Sequence, residues 1–195
     1  MTLDDLRAAA GACPDLPSLA GSVRGCTACP ELVATRTQVV AGATPPGARL
    51  LVLGEAPGAT EDETGEPFVG RSGRLLDELL ADVGLARADV AVLNTLKCRP
   101  PGNRPPTRTE SATCRPWTER QLALADPAVV VALGLSATRW LLGPTSLAAA
   151  RGRVHEVGGR KVLATYHPSA ALRFGPRGEP RRLLREDLAL AASML

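Results

Sequence analysis

Short aliphatic runs alternate with amphipathic segments along most of the chain, and the two kinds of segment predict strands and helices. The runs that predict buried strands lie at 49–53, 90–93 and 126–134, with a further strand pair at 152–157 and 160–165. The last two strands flank Gly158-Gly159, a dipeptide typical of a tight hairpin turn. The pattern therefore places five strands along the chain, two of them joined as a hairpin.

Leucine and alanine at a spacing of three to four residues predict the helices between these strands. The predicted helices lie at 2–10, about 72–83, 110–125, 136–143 and 180–193. Thr2 and Thr109 are candidate N-caps for the first and third of these helices. Residues 14–48 carry little periodicity and predict a loop with one helix near 30–36, while the Pro/Arg segment 97–108 predicts a loop.

Strands that alternate with helices favour a mostly parallel sheet with helices on both faces. In such folds ligands bind at the carboxyl ends of the strands. Gly54, Asn94, Gly134 and His167 each follow a predicted strand directly or closely. We therefore expect these four residues to converge on one site.

Composition adds limits on domain number and on partners. The chain has 195 residues, 45% hydrophobic and 22% charged, which fits one soluble domain spanning 1–195. The net charge of +3 permits binding to nucleic acid without indicating it. Basic residues gather at 97–115 and 173–185, and solvated surface charge is the ordinary explanation of such runs.

The chain shows no sign of a membrane or secretory segment. It has no run of about 18 apolar residues, and early acidic residues in "MTLDDLRAAAGAC" are unlike a secretory signal. We expect a cytoplasmic protein that makes no membrane contact and is a monomer.

The cysteines form the first candidate site. Cys26 and Cys29 are a C-x2-C pair, and Cys98 and Cys114 lie far away in sequence beside a basic loop. Four thiolates can hold a structural zinc ion or a [4Fe–4S] cluster, whereas free buried cysteines usually occur singly. Because a Pro/Arg loop splits the second pair, the spacing favours a [4Fe–4S] cluster over zinc. Cys13 stands outside this set.

The segment "GEAPGATEDETGEPFVGRSG", Gly54 to Gly73, is rich in glycine like a phosphate-binding loop, yet it carries five carboxylates. Such a loop is too acidic to cradle phosphate. Two residues that follow strands add candidate chemistry. His167, before Pro168, can donate a hydrogen bond to an oxygen that gains charge, and Asn94 presents the donor and acceptor that match a pyrimidine edge. The alternative roles of both residues are structural: His167 as a hydrogen-bonded residue of a turn, and Asn94 as a cap at the end of a strand.

The chain resembles the family 4 uracil-DNA glycosylases, the iron–sulfur type of bacteria and archaea. The residues that carry the resemblance are "CTACP", the acidic glycine loop, "NTLKCRPPGNRPPT", Cys114 and "YHPSAALR", which span 26–173. The resemblance implies an α/β fold, a four-stranded mostly parallel sheet in a three-layer α/β/α sandwich. It also implies uracil-containing DNA as the partner and a [4Fe–4S] cluster on Cys26, Cys29, Cys98 and Cys114.

By this resemblance the acidic loop encloses a flipped uracil and a catalytic water. Glu55 is the candidate that orients the water, and His167 is the candidate donor to uracil O2. The expected uracil-binding residues are Gly54, Ala56, Gly58, Glu61, Phe68 and Asn94. Phe68 offers a face for stacking, Asn94 rejects cytosine, and Glu61 is the candidate for excluding thymine. The expected DNA contacts are Arg99, Arg104, Arg108, Ser169, Leu172 and Arg173.

Departures from related families bear on the reaction. Family 1 enzymes carry Asp where this chain has Ala56 and a methyl-blocking Tyr where it has Gly58, so water activation cannot be copied from them. A related group traps uracil-DNA covalently through a basic loop that contains an essential His, and "RPPGNRPPTRT" has none. Hydrolysis is therefore favoured. The rival hypotheses are a non-catalytic or trapping uracil-DNA binder on the same fold, and an iron–sulfur electron carrier.

Overall fold

The computed structural model describes all 195 residues and contains one five-stranded sheet. The strands are β1 (Leu50–Gly54), β2 (Val90–Asn94), β3 (Val129–Leu133), β4 (Val154–Val157) and β5 (Arg160–Thr165). Their order across the sheet is β2-β1-β3-β5-β4, with every pair parallel except β4 and β5. The predicted class, a mostly parallel sheet between helical layers, is confirmed.

The strand count of four that the family resemblance implied is one too low. The fifth strand is β4, which pairs antiparallel with β5 at one edge of the sheet. The chain reverses between them at Gly158 and Gly159, which have φ angles of 57° and 78°. Two successive positive φ values suit the type of tight turn that glycine favours, so the residue pattern predicted this hairpin correctly.

Helices cover both faces of the sheet. They are α1 (Leu3–Gly11), α2 (Leu16–Arg24), α3 (Pro30–Thr35), α4 (Ala59–Thr64), α5 (Arg71–Asp82), α6 (Arg108–Ala125), α7 (Gly134–Leu142), α8 (Leu147–Ala150), α9 (Pro168–Phe174) and α10 (Glu179–Ala192). Single 3₁₀ turns at Arg87–Asp89 and Pro101–Asn103 complete the regular structure. None of the helices combines the length and the apolar character needed to cross a bilayer.

The central strand β1 shows how the core is divided between the two faces. Leu50 and Val52 pack in one hydrophobic cluster with residues of α5 and α10. Leu51 and Leu53 pack in another cluster with residues of α6 and α7. Side chains alternate between the faces of a strand, so a strand that is buried on both faces must be apolar at every position.

Most predicted helices are confirmed within one or two residues. The first helix begins after Thr2, whose side chain accepts from the amide of Asp5, as the N-cap prediction required. The cap of α6 is Thr107 and not Thr109, so the helix includes the end of the segment predicted as a loop. Its capping box with Glu110 explains the earlier start, because a Thr-x-x-Glu pair satisfies two free amides at a helix start.

Two helices lie in segments predicted as loops. The first, α2, follows an Asp15 cap that bonds to Ser18, a weak N-terminal signal hidden by Pro17 and Gly21. The second, α4, lies inside the acidic glycine segment. Each helix is short, at nine and six residues, so hydrophobic periodicity could not reveal it.

The parallel pairing brings the carboxyl ends of β1, β2, β3 and β5 to one edge of the sheet. Gly54 pairs with Asn94 in the register of β1 and β2. Gly134 follows β3 with a φ of 85°, and a Cβ added there would lie 3.1 Å from the Cβ of His167. The four residues expected to converge therefore meet at this edge.

One glycine in α5 fixes the position of the chain before it. A Cβ added to Gly73 would lie 1.7 Å from the carbonyl oxygen of Phe68, a distance that backbone atoms cannot accommodate. We expect Gly73→Ala to lower the free energy of unfolding by about 1–3 kcal/mol, as overpacking does. Urea unfolding of the purified protein measures this change.

The matched control is Gly21→Ala in α2, where nothing lies within 4 Å of the added Cβ. Alanine in a helix interior should stabilise the protein there by roughly 0.5–1 kcal/mol. Equal unfolding midpoints for Gly73→Ala and the wild-type protein would show that the close contact is not a constraint.

Candidate active site

A cavity at the carboxyl edge of the sheet contains most of the predicted site. The predicted residues that line it are Glu55, Ala56, Gly58, Glu61, Phe68, Asn94, Arg104, His167 and Ser169. Sequence reasoning missed four further lining residues, which are Pro57, Ser72, Pro100 and Asn103. Ser72 and Asn103 gave no signal of their own, since single polar residues in loops are common.

Asn94 ends β2, lines this cavity and carries a buried hydrogen-bonding atom that has no partner. The residue is 2% exposed, and its Oδ1 has no hydrogen-bond partner in the protein. A buried polar atom without a partner costs about 1–3 kcal/mol. A Cβ on Gly54 would lie 2.4 Å from this Oδ1, so only glycine leaves room for the amide. The arrangement suits a ligand that donates a hydrogen bond to the amide oxygen.

Phe68 is held beside Asn94 in an unusual backbone conformation. Its φ is 54°, a left-handed value that costs energy in a residue with a Cβ. The same Cβ on Gly54 would lie 2.5 Å from Phe68 Cζ, so the aromatic ring reaches the end of β1. The ring centroid lies 5.7 Å from that of His167, with the planes tilted by 40°. The strain fits a side chain that the surrounding structure fixes for binding.

Glu61 shapes the loop that carries these residues. One carboxylate oxygen accepts hydrogen bonds from the amides of Val69 at 3.0 Å and Gly70 at 2.8 Å. The other oxygen accepts from the amide of Gly58 at 3.2 Å. Most of the hydrogen-bonding capacity of Glu61 is therefore used within its own loop, while its predicted role in excluding thymine stays a prediction.

Asp62 ties the same loop to the N-terminal part of the chain. It is 1% exposed, and both of its oxygens lie 3.0 Å from the amide of Thr37. A buried carboxylate needs such donors, because an unpaired buried charge is strongly destabilising. Two of the five carboxylates of the glycine-rich loop, those of Glu61 and Asp62, thus satisfy backbone amides inside the protein.

Glu55 enters the cavity directly after β1. Its backbone carbonyl accepts from the amide of Leu96 at 3.0 Å and from the hydroxyl of Thr95 at 2.8 Å. These bonds attach the start of the loop to the segment that follows β2. The half-buried Glu55 carboxylate makes no hydrogen bond or ion pair with the protein, so it is free to accept from a water molecule.

His167 caps α9, and its contacts fix which ring nitrogen carries the proton. Nδ1 accepts from the backbone amide of Ser169 at 3.1 Å and lies 2.8 Å from the Ser169 hydroxyl. An amide can only donate, so we assign the proton to Nε2. Burial lowers the pKa of His167 to about 4, although the charge of Glu61 acts in the opposite direction. The imidazole is therefore a neutral donor at neutral pH.

A second, apolar cavity collects the four predicted cysteines. Cys26, Cys29, Cys98 and Cys114 line it together with apolar side chains that include Leu96 and Trp117. No group of three or more His, Cys, Asp or Glu side chains is close enough to hold a single metal ion. All four predicted cysteine ligands thus line one apolar cavity.

Burial favours the protonated form of three of these thiols. Burial raises the pKa of Cys29 to about 11 and the pKa of Cys114 to about 12, and the charges of neighbouring thiolates act in the same direction. Burial also raises the pKa of Cys98, against the hydrogen bond from Arg36. Without an electrophilic partner these three thiols stay protonated, so a metal-containing group must displace protons when it binds.

Cys13 lies apart from this cavity, as expected. Its thiol is buried and donates to the carbonyl of Ala9 at 3.3 Å, with the hydroxyl of Ser22 at 3.4 Å. It belongs to the same apolar cluster as the four cysteines but does not line their cavity.

Two cations contact the cysteine cavity, and the sequence predicted neither contact. Arg36 donates to the Cys98 sulfur at 2.9 Å and to the Cys26 carbonyl at 2.7 Å. Lys97 is 2% exposed and donates to the Asn94 carbonyl at 2.7 Å. Burial lowers the pKa of Lys97 to about 8, while the charges of Cys114 and Cys98 act in the opposite direction. Lys97 is therefore not part of a solvated basic surface.

The predicted DNA-contacting arginines of the Pro/Arg segment differ in their surroundings. Arg104 pairs with Glu110 at 2.7 Å and with Glu31 at 3.1 Å. The Arg104 hydrogen bond is the main reason that the pKa of Glu110 falls to about 2. Arg99 donates to Asn103 at 2.7 Å, and Arg108 is exposed and unpaired. Arg108 is thus the arginine most available to an external anion, and the DNA contact of Arg104 stays a prediction.

A shallow groove continues the cavity along α9. It is lined by Arg71, Ser72, Ser169, Leu172 and Arg173, and it shares Ser72 and Ser169 with the main cavity. Leu172 is half-buried, whereas Arg173 is exposed and forms no ion pair. The predicted contacts of α9 therefore lie beside the cavity on one continuous surface, together with Arg71, which the sequence analysis did not single out.

The chain is similar in sequence to known uracil-DNA glycosylases. Residues 41–189 match the sequence profile described as the uracil DNA glycosylase superfamily. The chain is 44% identical to a type-4 uracil-DNA glycosylase of Thermotoga maritima, over 89% of this chain and 91% of that protein. It is 42% identical to a type-4 enzyme of Archaeoglobus fulgidus, over 80% and 83%. A type-5 uracil-DNA glycosylase of Thermus thermophilus is 34% identical over 80% and 87%.

The low pKa of His167 gives a direct test of the site. Because its pKa is about 4, below its ordinary value of 6.5, the ring should stay neutral as the pH falls from 8 to 5.5. A His155→Gln variant leaves a single imidazole in the chain, whose ring proton shifts can be followed by NMR. We expect no titration step in this range. A midpoint near 6.5 would mean that the surroundings of the ring do not hold it in the neutral form at pH 5.5.

Proposed function

The chain belongs to the type-4 uracil-DNA glycosylases, and from that membership we propose that it flips uracil out of DNA and hydrolyses the N-glycosidic bond. The product is an abasic site, and the activity is that of a DNA repair enzyme. The observation that carries the proposal is the buried Asn94, which lines the cavity and whose Oδ1 has no partner within the protein. We infer that the edge of a base supplies the missing hydrogen-bond donor.

Recognition of uracil follows from the polarity of the Asn94 amide. Uracil presents an N3–H donor beside the O4 acceptor, which complements the acceptor Oδ1 and the donor Nδ2. Cytosine presents an unprotonated N3 and an N4 amino group, which would oppose an acceptor to an acceptor and a donor to a donor. A site that is built to satisfy buried polar groups rejects analogues that leave those groups unpaired.

Phe68 and Gly54 define the space for the base. The aromatic ring offers a stacking surface, worth about 1–3 kcal/mol for a base on an aromatic side chain. Gly54 lets Asn94 and Phe68 approach each other behind the base, since any Cβ there would strike both side chains. This binding energy offsets part of the cost of extruding the nucleotide, which amounts to a few kcal/mol.

His167 acts on the leaving group. As the bond between C1′ and N1 breaks, its electron pair moves to uracil and negative charge develops on O2. The neutral Nε2–H, fixed by the contact between Nδ1 and Ser169, donates to this oxygen. A neutral donor that is held in place, within a site that excludes water, stabilises the forming anion without transferring its proton.

Glu55 acts on the sugar side of the bond. Its unpaired carboxylate accepts a hydrogen bond from the attacking water and faces the cation-like sugar with a negative charge. The water oxygen bonds to C1′ and releases one proton, and uracil leaves with the electrons of the broken bond. Neither of the two histidines lies within residues 99–113, so the basic loop offers no imidazole to trap the sugar covalently.

The four cysteines fit a [4Fe–4S] cluster held by Cys26, Cys29, Cys98 and Cys114. The apolar cavity, the four convergent thiols and the Arg36 hydrogen bond to Cys98 support this ligand set. When bound, the cluster supplies a structural cross-link between segments that are distant in sequence. Residues 99–113 run between two of its ligands, so the cross-link holds this segment, including Arg108, at the edge of the uracil cavity.

Single-turnover excision from a uracil-containing oligonucleotide tests the function and the residue roles together. We expect wild-type protein to release uracil, His167→Ala to be ~10²–10³ slower, and Glu55→Gln to be ~10²–10⁴ slower. Binding to the same DNA should change little, because both interactions strengthen in the transition state. Asn94→Asp should lose activity on uracil, because it replaces the amide donor with a second acceptor.

His155→Gln is the matched control, since His155 lies on the edge strand β4 and does not line the cavity. It should excise uracil at the wild-type rate. If Glu55→Gln and His167→Ala also kept that rate, their assigned roles would be wrong. Absence of excision by wild-type protein on both single-stranded and double-stranded substrates would reject the glycosylase function itself.

The exposed Arg108 predicts how binding depends on salt. An arginine that contacts phosphate releases counterions, so Arg108→Ala should reduce the slope of log K against log salt by about one unit. Arg49→Ala is the control, because Arg49 is exposed directly before β1. It therefore lies at the amino ends of the strands, opposite the cavity. Fluorescence anisotropy at several salt concentrations measures both slopes. Equal slopes for wild type and Arg108→Ala would remove Arg108 from the interface.

A further inference from the structure

Lys97 is an anomaly among the charged residues of the chain. It is 2% exposed and ranks among the largest side chains that the protein fully buries. Its Nζ has one hydrogen-bond partner, the Asn94 carbonyl at 2.7 Å, and it takes part in no ion pair with a carboxylate. The chain has only two lysines, and the other, Lys161, is exposed.

A buried ammonium group with one neutral partner is strongly disfavoured. Removal of a charge from water must be balanced by an opposite charge or by several hydrogen bonds. The other buried charged groups of the chain have such compensation, since Asp62 accepts from backbone amides and Glu110 pairs with Arg104. Lys97 lacks it within the protein.

The surroundings of Lys97 indicate where its counter-charge comes from. It lines the apolar cavity together with Cys98 and Cys114. Arg36 reaches the same sulfur ligands and donates to Cys98. Four thiolates that bind an iron–sulfur core leave the whole group with net negative charge. The cavity therefore brings a negative group to the one place where an uncompensated cation lies.

Two other roles for the Lys97 amine do not fit its position. Lys97 does not line the uracil cavity, so its amine cannot attack the sugar. It is also shielded from solvent and thus cannot contact a phosphate. What remains is a role inside the protein and toward the cysteine cavity.

We propose that Lys97 is the internal counter-ion of the thiolate-bound cluster. The inference rests on the proposed [4Fe–4S] cluster. The ammonium group compensates the negative charge of the loaded site and stabilises its reduced state relative to its oxidised state, since reduction adds a further negative charge. An ammonium group is compact enough to provide this charge in a cavity that Leu96 and Trp117 also line.

The test compares three variants of the iron-loaded protein. Lys97→Met removes the charge and keeps a flexible side chain of similar length. Leu96→Ala loosens the packing of the same cavity without changing its charge, and Lys161→Met removes a lysine from the surface. The readouts are the reduction potential of the cluster and the rate of iron loss to a chelator.

The direction in which the reduction potential shifts distinguishes the effect of losing a charge from the effect of looser packing. Loss of a nearby positive charge disfavours the reduced cluster, so Lys97→Met should shift the potential to more negative values by at least a tenfold change in the equilibrium, about 59 mV for one electron. Looser packing admits water, which favours the more highly charged reduced state, so Leu96→Ala should shift the potential to less negative values. Iron loss should be at least tenfold faster for Lys97→Met and unchanged for Lys161→Met.

The remaining outcomes are also decisive. A Lys97→Met potential equal to that of wild type, or shifted in the direction of Leu96→Ala, would overturn the proposal. If Lys97→Met cannot be loaded with iron, Lys97→Arg decides: loading of this larger but charged variant supports the proposal, and its failure overturns it. Wild-type protein that contains no iron would reject the proposed cluster, whereas a loaded wild type with an unchanged Lys97→Met variant rejects the role of Lys97 alone.

Discussion

The buried segment from Asn94 to Cys98 is the constraint on which both cavities depend. Every residue in it is buried, and its first and last members face different cavities. The Thr95 amide and the Leu96 amide donate to the carbonyls of Gly54 and Glu55. Thr118 of α6 approaches the Thr95 carbonyl at 3.2 Å, and so the segment is also attached to the helix that carries Cys114. The proposed uracil-binding cavity and the cysteine cavity therefore share one stretch of backbone.

The acidic loop is held in place by two of its own carboxylates. Glu61 and Asp62 bind backbone amides of the loop and of the N-terminal segment, and neither carboxylate forms an ion pair. A carboxylate that accepts several amide hydrogen bonds is roughly twice as strongly held as a neutral acceptor. The loop can thus be rich in glycine, as the proposed close approach to a base requires, and still adopt one conformation. The glycines leave space beside the cavity, and the carboxylates of Glu61 and Asp62 hold the loop in one conformation.

The sequence predicted the parts of the site that depend on strand ends and failed on those that depend on tertiary pairing. Asn94 and His167 follow aliphatic strands, and parallel strands must bring their ends to one edge. The cysteine set was equally accessible, because a C-x2-C pair with two distant cysteines is an unusual combination. The pairing of Arg104 with two glutamates and the burial of Lys97 leave no trace in local sequence. Both residues belong to a run of basic side chains, and such runs are ordinarily explained as solvated surface charge.

In the proposed function, the left-handed conformation of Phe68 has a consequence for how the base is captured. Its conformation is already fixed by Gly73, and its ring already touches the space that only Gly54 leaves open. The walls of the pocket are assembled when the chain folds, so the protein loses little conformational freedom when uracil enters. The entropic cost of the encounter falls on the DNA, which must unstack one nucleotide. In the proposed function, such a preorganised pocket binds a base that has left the helix without changing its own shape.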